Sequence, residues 1–282
     1  MKNLRHYTDD AFEFHKDVLK SKKTTIADPT YKDRVKRLEN AVQSQFSVYD
    51  NNFVQNTLED IESHGHTASE KSDLLKLYSY KISVIKKLKA KLTTTATNRI
   101  ISTCPNCTIS EINSFDHYLP KEEFPEFVVN PKNLFPSCTT CNGYKSTTWL
   151  KGDKRLFLNL YLDHLPEEQY LFVKLKVETD SVITAKFYLQ NTGTIASDIF
   201  EIIESHYERL RLLQRFSENI NEVVTSLENT INSFIDKLPI AKIREAVIEK
   251  SNKDKLAFGH NYWKSILEIA LVTDVEYLKR FN

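Results

Sequence analysis

The chain has 282 residues, 40% of them hydrophobic and 27% charged, which is enough to bury a core in one large domain or two smaller ones. Its formal net charge is +1, so no overall positive field holds it on a polyanion, and any nucleic-acid contact must come from local patches or a partner. With five glycines there is no glycine-rich phosphate loop, which excludes a nucleotide-hydrolysing motor within the chain.

The first 95 residues read as helical. Apolar residues fall at helical spacing from Asp9 to Lys23 and, after Pro29, from Tyr31 to Tyr49, while the stretch from Asn51 to Thr67 is left unassigned. Ser69 to Lys91 predicts one amphipathic helix, with Leu74, Leu77, Tyr78, Ile82, Ile85, Leu88 and Leu92 at helical intervals. Between Leu74 and Arg99 the basic residues Lys76, Lys81, Lys86, Lys87, Lys89, Lys91 and Arg99 occur with no acidic one. Such a run is either a solvated helix face or, because it leads directly into the cysteines, a phosphate-contacting surface.

The only four cysteines follow, as Cys104-x-x-Cys107 and Cys138-x-x-Cys141. No signal-peptide pattern opens the sequence and no apolar run is long enough to span a membrane, which predicts a cytoplasmic chain without a membrane partner. In that setting two such knuckles predict a structural zinc site rather than disulfides, with a redox pair as the other reading. Between and beside the knuckles lie Asp116, His117, Asn133 and Asn142. A zinc ribbon with no other task needs none of these. A strand near the Asp-His pair, a second near Asn133 to Phe135 and a short helix starting near Asn142 would make a hairpin and helix tied at its ends by the metal. Small units of this kind gain their stability from the ion.

Further on, Tyr170 to Val177 and Val182 to Gln190 alternate as two strands, with a turn near Asp180-Ser181. Ala196 to Ile235 reads as a long helix with a break or bend, and Thr194 or Ser197 is a candidate N-cap. Two shorter helices follow near Ile240 to Ser251 and His260 to Leu271.

The segment FDHYLPK, the stretch NLFPSCTTCN and the flanking CPNC resemble the HNH endonucleases, also called ββα-metal nucleases. The resemblance spans about a fifth of the chain, residues 98–155. It implies a mainly α fold with a small central α+β module, a zinc-stapled ββα-metal nuclease core between helical N- and C-terminal regions. Together with the helical and strand readings above, it divides the chain into an N-terminal helical region (1–95), the nuclease module (96–160), a β-hairpin extension (161–192) and a C-terminal helical region expected to dock a partner (193–282). It implies His117 as general base, Asp116 and Asn142 as ligands of a catalytic Mg²⁺ or Mn²⁺, and Asn133 as the residue that holds the histidine loop. Asn142 stands where many members have a histidine, and its amide oxygen is a weaker ligand for Mg²⁺. The wording around the motif is similar to HNH proteins of Septu-type anti-phage operons, which implies an ABC-like or SMC-like ATPase partner and nucleic acid, DNA before RNA, as substrate.

Lys121, Lys145 and Arg155, with Lys86, Lys87 and Lys89, are candidates for phosphate contacts. Blander readings stand beside these. Asn133 could cap a turn, Asn142 could cap the following helix, and His64 and His66 could be a polar loop rather than ligands of a second metal. Trp149 and Tyr144 could stack on bases or pack on the zinc module. Two other functions stay open: a stand-alone restriction or homing nuclease, and a zinc module that binds nucleic acid or protein without cutting.

Overall fold

The computed structural model describes residues 1–95, 97–177 and 182–281. The chain forms two compact units. The first comprises Asn3–Asn106 and Ser110–Asp163; the second comprises His164–Asn282 with Met1–Lys2 and Cys107–Ile109. The described residues are mainly helical, with three two-stranded antiparallel sheets. None of their helices is long and apolar enough to cross a membrane.

In the first unit α1 (Ala11–Ser21) starts where the Asp10 carboxylate accepts hydrogen bonds from the amides of Phe12 and Glu13 at 2.8 and 3.0 Å. The expected helix from Tyr31 to Tyr49 is two helices, α2 (Tyr31–Arg37) and α3 (Glu39–Gln55), parted at Leu38. α3 runs into the stretch the sequence left unassigned and stops at Asn56, whose left-handed backbone (φ 56°) is one that asparagine tolerates. A capping box of Thr67 and Glu70 opens α4 (Ala68–Leu75). Arg34 on α2 forks onto Asp73 of α4 at 2.6 and 2.8 Å, which fixes the two helices against each other.

The single helix predicted over Ser69–Lys91 does not form. The chain leaves α4 after Leu75 and re-enters a helix only at α5 (Ser83–Thr93). The intervening Tyr78-Ser79-Tyr80 has modest helix propensity, and both tyrosines have tertiary partners: Tyr78 packs edge-on to His117 and Tyr80 to Phe115. Packing on the next segment outweighs the helical period.

That segment is β1 (Ser114–His117), paired with β2 (Leu134–Ser137) in the register Ser114 to Ser137 and His117 to Leu134. Helix α6 (Thr139–Lys145) follows at once, and a small hairpin, β3 (Leu150–Lys151) and β4 (Lys154–Arg155), closes the unit. An aromatic column fixes the loop between β1 and β2. Phe12 meets Phe46, Phe46 meets Phe127, and Phe127 meets Tyr49 with ring centroids 5.8, 6.1 and 4.9 Å apart. Each of these buried rings contributes about 2 kcal/mol through removal from water.

In the second unit β5 (Leu171–Val177) and β6 (Ile183–Leu189) pair from Leu171–Leu189 to Val177–Ile183. The turn expected at Asp180-Ser181 lies outside the described residues. The long helix expected from Ala196 breaks twice, into α7 (Ser197–Arg209), α8 (Leu212–Glu218) and α9 (Ile220–Phe234), with Arg211 in the left-handed region. Neither Thr194 nor Ser197 caps α7; Ala196 holds the cap position, and the preceding turn is instead closed by Asn191, whose Oδ1 accepts from the amides of Gly193 and Ile195. α10 (Ile240–Phe258), α11 (Trp263–Thr273) and α12 (Val275–Leu278) complete the unit. Its centre is Trp263 stacked on Phe216 at 5.3 Å, with Phe187 of β6 against both rings.

Burial holds the imidazole of His15 neutral, its pKa lowered from 6.5 to about 4. A group whose folded pKa lies below its unfolded value binds fewer protons when folded, so stability falls as pH drops from 6.5 toward 4. At pH 5 this group costs on the order of 2 kcal/mol relative to neutral pH. Thermal melts of the wild type and His15→Phe between pH 7.5 and 4.5 should diverge, the variant losing less stability; parallel curves would contradict the neutral, buried state.

Candidate active site and metal centre

The four cysteines are buried thiols whose sulfurs lie within 4.8 Å of one another. Among the described residues they are the one group of three or more histidines, cysteines and acids whose ligand atoms already stand together within reach of one ion. Cys104 enters this cluster from a turn closed by its amide on the Ser110 carbonyl at 2.8 Å. Cys138 is the N-cap of α6, and its sulfur accepts the amide of Cys141 at 3.3 Å. Four thiolates on a tetrahedral zinc at about 2.3 Å have sulfurs about 3.8 Å apart, so this cluster can hold the ion. Cys138 taking the cap also removes the bland reading of Asn142, which lies inside α6 rather than at its start.

Asp116 and Asn142 sit where β1 faces α6. The side-chain amide of Asn142 donates to the Phe115 carbonyl at 3.3 Å, which turns its Oδ1 away from the strand. Asp116 is 7% exposed. Its Oδ1 accepts from Lys145 Nζ at 3.1 Å, and the same ammonium donates to the carbonyls of His117 and Tyr118 at 2.7 and 3.2 Å. Burial pushes the Asp116 carboxyl upward, and the Lys145 charge works against that rise. Lys145, expected to meet phosphate, is instead buried and ties α6 to β1.

His117 is also buried, with the ring of Tyr78 edge-on at 4.7 Å. Its Nε2 lies 2.9 Å from the Val128 carbonyl. A carbonyl only accepts, so Nε2 carries the proton, and in the neutral ring Nδ1 keeps its lone pair. Burial lowers the imidazole pKa to about 3, helped by the charges of Lys121 and Lys145 and opposed by the Val128 hydrogen bond. The Val128 carbonyl is placed by Asn133, which is fully buried and spans the loop. Its Oδ1 accepts from the Leu119 amide at 2.8 Å and the Tyr49 hydroxyl at 3.3 Å, and its Nδ2 donates to the carbonyls of Leu119 and Phe127 at 3.1 and 3.4 Å.

Among the remaining candidates, Lys86 and Lys87 are exposed on α5, whereas Lys89 donates to the Ile112 carbonyl at 2.6 Å. Lys121 lies over the Tyr78 ring, beside His117. Arg155 is turned inward, its guanidinium on Asp163 at 3.0 Å and Glu59 at 3.4 Å. Trp149 is buried, donates to Glu123 and packs on Phe124, while Tyr144 is exposed on α6. The sequence places Tyr49 and Tyr78 on helical faces and carries no sign that Tyr49, Tyr78 or the Val128 carbonyl meets the Asn133 and His117 side chains.

Among curated proteins, the chain is similar to protein ea31 of Escherichia phage lambda, 24% identical over 189 residues, 62% of this chain and 63% of that protein. It is also similar to Septu protein PtuB of Bacillus thuringiensis, 46% identical over 44 residues, 14% of this chain and 17% of PtuB. The chain thus matches less than two thirds of the length of either relative. No family model matches it, and no solved structure does.

The loop geometry makes Asn133 and Tyr49 unequal. Asn133→Ala strands several buried backbone groups and should cost about 3 kcal/mol or more, whereas Tyr49→Phe removes one hydroxyl and should cost about 1 kcal/mol. Urea denaturation measures both; equal losses would mean that Asn133 does not carry the loop.

Proposed function

We propose that the chain is a metal-dependent endonuclease of the HNH type, its hairpin and α6 forming a zinc-stapled ββα-metal core. The observation that carries this reading is His117. Its Nε2–H is spent on the Val128 carbonyl, the loop presenting that carbonyl is locked by Asn133, and the remaining nitrogen is a lone pair at the end of β1. This neutral, oriented ring is the protonation state from which a general base takes a proton from water, although burial makes it a weaker base than a free imidazole. The water oxygen then attacks phosphorus in line, opposite the departing 3′ oxygen. Asp116 and Asn142 would hold a Mg²⁺ or Mn²⁺ ion, which supplies charge neutralisation at the phosphate. Asn133 acts through His117 as a positioning residue.

The likeness to Septu protein PtuB supports a place in anti-phage defence. A net charge of +1 gives little steering toward DNA, which favours a cytoplasmic complex in which an ABC-like or SMC-like ATPase delivers the substrate. One observation favours the second reading, a zinc module that binds without cutting: the Lys145 ammonium already neutralises Asp116 in the place a cation would take.

Cleavage of plasmid DNA by the purified chain, alone and with the product of any neighbouring ABC-like or SMC-like ATPase gene, separates the two. Wild type with Mg²⁺ or Mn²⁺ should cut, faster with the ATPase, and His117→Ala should lose about 100-fold or more with its zinc retained. Asp116→Ala and Asn142→Ala should lose activity with a raised metal requirement. Cutting at the wild-type rate by His117→Ala, or none by any form, contradicts the nuclease reading. Reversing Lys86 and Lys87 to glutamate should flatten log affinity against log salt by up to about two, near 0.9 for each phosphate no longer neutralised. An unchanged slope makes this face merely solvated.

A further inference from the structure

His64 and His66 stand on either side of Gly65, whose backbone is left-handed at φ +76°, and their rings lie 4.7 Å apart. Facing them is Glu126, in the turn Pro125–Phe127 that leads to Val128. Glu126 is fully buried. Its Oε1 is reached by the His64 amide at 3.4 Å, and its Oε2 lies 3.7 Å from Nε2 of His66, a side chain 3% exposed. Neither of these two atoms has a hydrogen-bond partner, and 3.7 Å is too long for them to bond each other. Adjacent ligands on a tetrahedral ion at about 2.1 Å are about 3.4 Å apart. The gap between the imidazole nitrogen and the carboxylate oxygen is close to that separation.

An ordinary ion pair is the competing account. Burial pushes the Glu126 carboxyl up and the His66 imidazole down, so both groups are driven toward neutrality and the pair loses its charge. A metal ion reverses this by binding the carboxylate and the neutral imidazole together. One outer contact is also in place: the Gln45 side-chain amide lies 3.2 Å from His64 Nδ1, leaving Nε2 of that ring for the metal.

We propose that His64, His66 and Glu126 form a second metal site, distinct from the four thiols and taking a zinc-class divalent ion with water as the fourth ligand. The exposed His64 ring turns to complete the set. Two imidazoles and one carboxylate suit zinc, cobalt or nickel better than magnesium. The ion clips the turn at Glu126 to the chain entering α4, and so braces the carbonyl two residues on that holds His117. The site stands on its own geometry, whether or not the chain cuts nucleic acid.

The test is a Co²⁺ titration of the metal-stripped full chain, followed by absorption. Cobalt in the four-thiol cluster gives intense thiolate charge-transfer bands; cobalt on nitrogen and oxygen adds only weak visible bands. The wild type should take one more equivalent than Glu126→Gln and one more than His66→Ala, with the thiolate bands equal in all three. Any cobalt held at Asp116 is common to the three proteins and cancels in the difference. Wild-type stoichiometry in either folded variant overturns the proposal. If His66→Ala loses the thiolate bands through misfolding, the near-isosteric Glu126→Gln decides alone.

Discussion

Cys104 and Cys107 precede β1, and Cys138 and Cys141 follow β2, so gathering the four thiols clamps the hairpin at its open end, where Ser114 pairs with Ser137. A two-stranded hairpin with one short helix is too small to hold its shape by burial alone. A zinc ion in the thiol cluster would supply the missing energy, because binding free energy at a site absent from the unfolded chain is folding free energy. With that end fixed, the opposite end of β1 is fixed too, and it carries Asp116 and His117.

The clamp does not by itself aim His117. The loop after β1 has to return a carbonyl to the ring, and its path is set by a second constraint at Asn133. One side chain replaces the backbone pairing the loop lacks, and Tyr49 of α3 joins the same group. The N-terminal helices are therefore part of the site's construction. They supply the aromatic column beneath Phe127, and the link between α4 and α5 supplies the Tyr78 ring against His117. Lys145 binds the third element, crossing from α6 to three oxygens on and after β1. A buried ammonium in this position is costly unless all its protons are used, and three acceptors use them.

Local chemistry was readable in the sequence where local spacing determines it. Two C-x-x-C pairs imply a shared metal site, and the thiols do converge; alternation over Tyr170–Val177 and Val182–Gln190 implies the strands that form. Contacts between distant positions were not readable. The period over Ser69–Lys91 is helical, yet Tyr78 and Tyr80 leave it to reach β1. Lys145 and Arg155 look like surface cations until Asp116, Asp163 and Glu59 are placed beside them. Likewise, SHGH reads as a polar loop because Glu126 lies some sixty residues further along the chain.

The proposed chemistry depends on which nitrogen of His117 is available, and ¹⁵N magnetic resonance of the labelled imidazole reads this directly. At neutral pH His117 should be neutral, with a protonated, pyrrole-like Nε2 and an unprotonated Nδ1. It should stay neutral below pH 5, given a pKa lowered to about 3 by burial. A proton on Nδ1, or a ring already charged near pH 6, would contradict the held base on which the proposed chemistry depends.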